Sequence, residues 1–233
     1  TPSSNVRVRV RDRFLYFAYS DNIEFKNIHF FAGSVRFWES SYLTIEDSRF
    51  SFSGEMGLHG NKVTFGSHTL VRNTIFEYIN DSAIWSQNRT MFPTMENVLF
   101  RYNDWFKGSY LYGATNRNYR GDRSKGTFKV GGSVWRYVTI ENSSTAGIYP
   151  AMNSLVEYAR FENLYDAGDG GGIQRNPISV PLSTTRYSWF INIPGFNGMR
   201  FDGSCSGNNG DVHHVVSAGN RRGFRLKGDY HDV

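Results

Sequence analysis

The sequence predicts an all-β solenoid, and three observations predict it. Short apolar segments end at Phe30, Phe50, Phe76, Phe100, Ile140, Phe161, Phe190 and Val216, mostly 20 to 29 residues apart. Three places before each end stands a turn former or a ring: Asn27, Asp47, Asn73, Asn97, Tyr137, Tyr158, Tyr187 and His213. Eight places after Phe50, Phe76, Ile140 and Val216 come Leu58, Ile84, Ile148 and Phe224, each preceded by Gly or Ala. Apolar residues alternate with a period of two, and no stripe with a helical period appears. A unit of short strands cannot bury its apolar face alone, so units of this length must stack into one continuous core.

Each element follows from this frame. The segment ending in Phe or Ile is one strand, and the residue three places earlier is a turn position. The Gly-aliphatic pair opens the strand of the next coil. Asn142, Asn163 and Asn192 fall two residues after their anchors, in the connection. Two adjacent copies between Tyr158 and Phe201 display the pattern most fully: Tyr158-Ala159-Arg160-Phe161 leading to Gly172-Ile173-Gln174, then Tyr187-Ser188-Trp189-Phe190 leading to Gly198-Met199-Arg200. The first copy carries extra loop sequence, Asp166-Ala167-Gly168-Asp169-Gly170-Gly171. The long interval from Phe100 to Ile140 holds a polar surface insertion around 116–125, and Leu111 opens the strand of that coil. One domain spanning 1–233, with eight or nine coils, accounts for the whole chain. It stops after one strand of a further coil, the expected mark of a piece of a longer solenoid.

Composition narrows the function classes. Charged residues make up 20% and aromatics 16%, with 24 Gly against 6 Pro, which is a folding composition. No apolar run is long enough to span a membrane as a helix. The net charge is +5, with 20 Arg against 6 Lys. Guanidinium groups match carboxylate, sulfate or phosphate through paired hydrogen bonds, so the bias points to an anionic ligand. The basic residues are scattered, and no nucleic-acid-binding motif is present. The lone Cys205 excludes an internal disulfide framework and a cysteine-rich zinc site. Sequons at Asn80, Asn88 and Asn142 permit N-glycans on an extracellular or cell-surface protein.

The recurring Asn-x-aliphatic and Gly-aliphatic-polar motifs, from Phe14 to Lys227, resemble the right-handed parallel β-helix superfamily of pectate lyases and polygalacturonases. The resemblance implies an all-β, right-handed parallel β-helix. It makes the Gly-aliphatic strand the first sheet, which bears the substrate groove in such enzymes. Arg225-Leu226-Lys227 looks like the Arg-Ile-Lys segment by which polygalacturonases hold a uronate. The Asn-Thr-Asp, Asp-Asp and Gly-His-Gly motifs of polygalacturonases are missing from their coils, so the resemblance reaches the superfamily.

If the aliphatic residue of the first sheet points inward, the residues one and three places later point outward. Coil by coil these are His59 and Asn61, Trp85 and Gln87, Tyr112 and Ala114, Tyr149 and Ala151, Gln174 and Asn176, Arg200 and Asp202, Arg225 and Lys227. One half of the ladder is aromatic, and the other is cationic with a carboxylate. An acidic polysaccharide suits such a surface, because rings pack on pyranose faces and guanidinium groups neutralise acid substituents. Substrate contacts are therefore expected from His59, Trp85, Tyr112, Tyr149, Gln174 and Arg200.

Three chemistries remain open at the basic end. In a lyase, Arg200, Arg225 and Lys227 neutralise a uronate carboxylate, while Lys227 or His213 takes the neighbouring proton. A Ca²⁺ ion would find oxygen ligands in Asp166, Asp169 and Asp202. In a hydrolase, Asp169 and Asp202 form the carboxylate pair. Third, the face binds glycan without cleaving it, as a non-catalytic cell-surface or matrix β-helix would. His213 shares the turn position of Tyr187, which favours a structural role. The glycine-rich run Gly168–Gly172 precedes no helix and so is no nucleotide loop.

Overall fold

The computed structural model describes residues 15–53, 56–59, 68–79, 83–86, 92–103, 129–130, 133–143, 147–150, 153–164, 171–175, 183–195, 197–201 and 210–226. Among these residues there is no helix, and every strand pairing is parallel. The chain is an all-β parallel β-helix. The first sheet appears in three pieces: Leu15–Ala18, Val35–Trp38, Met56–His59 and Ile84–Ser86; then Lys129–Val130 and Tyr149–Pro150; then Gly171–Arg175, Asn197–Phe201 and Arg222–Arg225. The second and third sheets merge into one twelve-stranded sheet, because His68–Glu77, Phe92–Arg101, Ser183–Ile191 and Gly210–Ala218 each run through the corner between them. The insertion expected around 116–125 lies outside the described residues.

That corner is a single residue in left-handed conformation, and the turn positions read from the sequence occupy it. Asn27, Asp47, Asn73, Asn97, Tyr137, Tyr158 and Tyr187 have φ between 49° and 57°. A left-handed residue costs on the order of 1 kcal/mol unless it is Gly, with Asn and Asp the most tolerant. Side chains reaching between coils offset that cost. Asn73 Nδ2 donates to Asp47 Oδ1 at 3.0 Å, and Asn97 Nδ2 donates to Asn73 Oδ1 at 2.9 Å. In the later coils Tyr137, Tyr158 and Tyr187 stack instead, with centroids 5.1 and 5.3 Å apart. A second left-handed column stands two residues after the anchors. It passes from stacked rings at Phe52, Tyr78 and Tyr102 to an amide ladder at Asn142, Asn163 and Asn192.

The anchors line the core in register. Phe30, Phe50, Phe76 and Phe100 stack at 4.4, 4.7 and 5.0 Å, and Phe161 stacks on Phe190 at 5.1 Å. Each buried ring contributes about 1.5–3 kcal/mol over leaving it exposed. The eighth anchor differs from expectation by one residue. Phe190 pairs with Ser217, whereas Val216 pairs with Trp189 and is 48% exposed. His214, not His213, therefore takes the corner, with φ 53°. The anchor position of this coil holds the polar Ser217, while Val216 beside it offers the apolar signal.

The glycine before the inward aliphatic residue is a packing requirement. A Cβ on Gly172 would lie 2.7 Å from a ring carbon of Phe190 and 2.8 Å from the carbonyl oxygen of Gly198. On Gly147 it would lie 2.0 Å from the carbonyl oxygen of Gly172. The first sheet thus presses its backbone against the third-sheet Phe column, and only Gly fits between them.

Candidate functional site

Alternation places Ile173 and Met199 in the core, so their successors Gln174 and Arg200 leave through the other face of the first sheet. Gln174 pairs with Arg200, and Arg200 pairs with Arg225. Ile148 bridges Ile173, which sets Tyr149 in the rung before Gln174, and Lys129 pairs with Tyr149. The result is one column over five successive first-sheet strands: Lys129, Tyr149, Gln174, Arg200, Arg225. Arg222 pairs with Asn197 at the same end, and both Arg221 and Arg222 are exposed.

The two ends of this sheet face different surroundings. Tyr16, on the outer face of Leu15–Ala18, is 51% exposed, as a groove open along its length would require. Gln174 and Arg200 are only 4% and 3% exposed, and all of Asn197–Phe201 is buried on both faces. The face expected to be open is therefore covered at Gln174 and Arg200, while Arg225 on the last rung is half-buried. A strand's own alternation sets which way a side chain points but not what lies above it.

Two expected placements change. Met56 pairs with Ile84, Gly57 with Trp85 and Leu58 with Ser86, so Trp85 stands beside Gly57 rather than His59. The slip is two residues, which preserves the face and breaks the His59–Trp85 adjacency. In the coil with the long insertion, Lys129–Val130 is the first-sheet strand that pairs onward to Tyr149–Pro150, and Lys129 takes the rung expected for Tyr112. Tyr112, Asp166, Asp169, Asp202 and Lys227 lie outside the described residues. Among the described residues no group of three His, Cys, Asp or Glu is placed to hold a metal ion. The Asn142 sequon side chain heads the amide ladder, accepting from Asn163 Nδ2 at 3.0 Å; Asn80 and Asn88 are outside the described residues.

A second set of charges was not singled out from the sequence. The residue just before the second corner, the one between the second and third sheets, pairs down the helix as Lys26, Glu46, Arg72, Glu96, Arg136, Glu157, Arg186 and His213. The sign alternates from Lys26 to Arg186. Glu46 sits between Arg72 Nε at 2.6 Å and Lys26 Nζ at 3.1 Å. Glu157 accepts from Arg136 Nε at 2.6 Å and Arg186 Nε at 2.8 Å. On the third sheet Glu77 is held in the same way by Arg49 and Arg101.

The hydrogen bond from Arg72, with help from Lys26, holds the Glu46 carboxyl below the ordinary carboxylate range. Burial pushes Glu77 and Glu157 upward, but paired guanidinium donors outweigh it and leave both carboxyls depressed. These acids are committed to their neighbours and are poor candidates for proton transfer.

His213 closes the column. Its Nδ1 is 2.7 Å from His214 Nδ1, and its Nε2 is 3.9 Å from Asp211 Oδ2. Both rings contact Tyr187.

No protein-family signature matches the chain, and no curated protein matches it. Among solved structures it is similar to a trypsin-treated variant of QnrB1, a plasmid-mediated fluoroquinolone resistance protein. Identity is 8% over 90% of this chain and 84% of that one, with a TM-score of 0.19, too low to support any statement about activity.

Proposed function

We propose that this chain is a carbohydrate-active β-helix, acting outside the cell or at its surface, that holds an acidic polysaccharide at the basic end of its first sheet and cleaves it. The observation that carries this reading is the column Gln174–Arg200–Arg225, in which an amide and two guanidinium groups occupy consecutive rungs. Neighbouring strands lie about 4.8 Å apart. Two guanidinium groups at that spacing match the oxygens of one acid group through paired hydrogen bonds. Tyr149, one rung earlier, supplies a ring for a sugar face.

For an acidic glycan, β-elimination uses this arrangement most directly. Neutralising the uronate carboxylate makes the adjacent C–H acidic, a base removes that proton, and the C–O bond breaks as the departing glycosidic oxygen takes a proton from water, leaving an unsaturated uronate. Arg200 and Arg225 are the neutralising groups, and Lys227 is the base. Hydrolysis by Asp169 and Asp202 is the competing chemistry, with Ca²⁺ on Asp166, Asp169 and Asp202 as the metal-assisted form of the site.

A panel of acidic polysaccharides, read by ultraviolet absorbance of unsaturated uronate and by new reducing ends, tests the reading. Signal in both channels means lyase, and reducing ends alone mean hydrolase. Silence in both, with glycan still retained, supports the second reading of a non-catalytic glycan-binding β-helix. The self-neutralised acids Glu46, Glu77 and Glu157 favour that second reading, because none is available for catalysis.

A further inference from the structure

The outer face of the second sheet, in the first four coils, holds an open groove of about 480 Å³ that the first-sheet site does not use. Its floor is the column Glu24, Thr44, Leu70 and Thr94, paired rung by rung. Its wall is the ring pair Tyr42 and His68, parallel within 1° at 5.2 Å. One rung before Tyr42 stands Asn22, a shorter side chain, so the ring column ends there and Tyr42 is 56% exposed.

We propose that this groove binds a neutral pyranose unit of a glycan. The chemistry of the lining selects that class. The Tyr42 ring face left bare at the Asn22 rung packs against the apolar face of a sugar. Thr44 and Thr94 give and accept hydrogen bonds with sugar hydroxyls, and the Glu24 carboxylate accepts from two of them. Glu24 has no ion-pair partner among the described residues, in contrast to Glu46, Glu77 and Glu157, each of which has two. Among the described residues no Lys or Arg lines the groove, so an anionic ligand would meet the Glu24 carboxylate and no described Lys or Arg. Leu70, between the two threonines, leaves an apolar step in the floor that suits a ring C–H face better than a charged group. The proposal stands on a different sheet and different residues from the acidic-glycan site and does not depend on it.

The test is calorimetric titration of cellohexaose, xylohexaose and mannohexaose, with spermine as the cationic probe and an oligogalacturonate as the anionic one. A neutral hexaose should bind wild type and Arg225→Ala equally, with little response to salt. Tyr42→Asn removes the ring at a left-handed position that Asn tolerates, so it should fold and weaken that binding about tenfold. Glu24→Gln and Thr44→Val should each weaken it several-fold, with melting temperatures near wild type. The assignment is overturned if none of the three hexaoses binds, if Tyr42→Asn binds unchanged, or if spermine binds in place of sugar and Glu24→Gln abolishes it. Oligogalacturonate binding lost in Arg225→Ala but intact in Tyr42→Asn separates the two sites.

Discussion

Two outward columns of the same solenoid handle charge in opposite ways. Ahead of the second corner, cation and anion alternate from Lys26 to Arg186, so each acid lies between two bases one rung away. On the first sheet the order is Gln174, Arg200, Arg225, with two cations in succession and no described carboxylate beside them. The first column satisfies itself and needs nothing from outside. The second carries like charges on adjacent rungs and is not balanced within itself. In a parallel stack every side chain repeats its position at the strand spacing, so like charges in one column are a standing cost. Along its own rungs the first column is matched in charge and the second is mismatched.

The strongest way to break that distinction is to unbalance a matched acid. Glu77 is 1% exposed and lies between Arg49 and Arg101, whose side chains are 47% and 33% exposed. Glu77→Gln leaves two guanidinium groups around a neutral amide and should cost about 2 kcal/mol, the buried-pair penalty discounted for solvent around the arginines. Urea denaturation reads it, and acidic-glycan binding should not change.

Acid should produce the same loss without mutation. Glu77 and Glu157 carry depressed pKa values, so their contribution is complete above the unfolded glutamate value, about 4.3. It disappears as pH falls through the lower folded values. The denaturation midpoint should drop between pH 5 and pH 3 by more in wild type than in a Glu77→Gln, Glu157→Gln double variant, and equal drops would remove the matched-column account.

On the mismatched column the signs of the effects reverse. Arg225→Ala should weaken acidic-glycan binding about tenfold and flatten its salt dependence. Stability should stay within about 0.5 kcal/mol, or rise, because one of two neighbouring cations is gone. A large loss of stability instead would make Arg225 structural. The smallest effect is expected at the corner next to Glu157. Tyr158→Asn exchanges ring stacking for an easier left-handed backbone, and the two should cancel to within about 0.5 kcal/mol in thermal unfolding.

Much of the fold was legible because the repeat is local and strict. From the residue before the second corner to the Phe anchor there are always four steps, as in Arg72 to Phe76 or Glu157 to Phe161. The left-handed corners fell on Asn, Asp and, less obviously, Tyr, and the glycines fell where backbone meets ring. The last coil slipped by one because its anchor position holds the polar Ser217 while Val216 beside it offered the apolar signal, and His214 rather than His213 took the corner. The rung of Lys129 was missed because Leu111 was chosen by its distance from Phe100, whereas the added chain of this coil lies ahead of its first-sheet strand, between Arg101 and Lys129.

The site was less legible. Alternation put Gln174, Arg200 and Arg225 on one face, yet the burial of Arg200 depends on chain remote from its own strand. The alternating charges were present in the sequence, one before each corner. They become visible only when coils are aligned on the corner and read across, not along.

The one-residue corner between the second and third sheets restricts how such a chain can be remodelled. Two sheets joined by a single left-handed residue leave no slack, so an insertion there would rotate every later side chain of that coil to the wrong face. Length can change only at the two flanks of the first sheet, where coil lengths already differ by many residues between Phe100 and Ile140. New loops, and any new specificity they carry, are thereby directed to the border of one face. For protein engineering the second corner is a fixed hinge line, and grafted segments belong on either side of the first sheet.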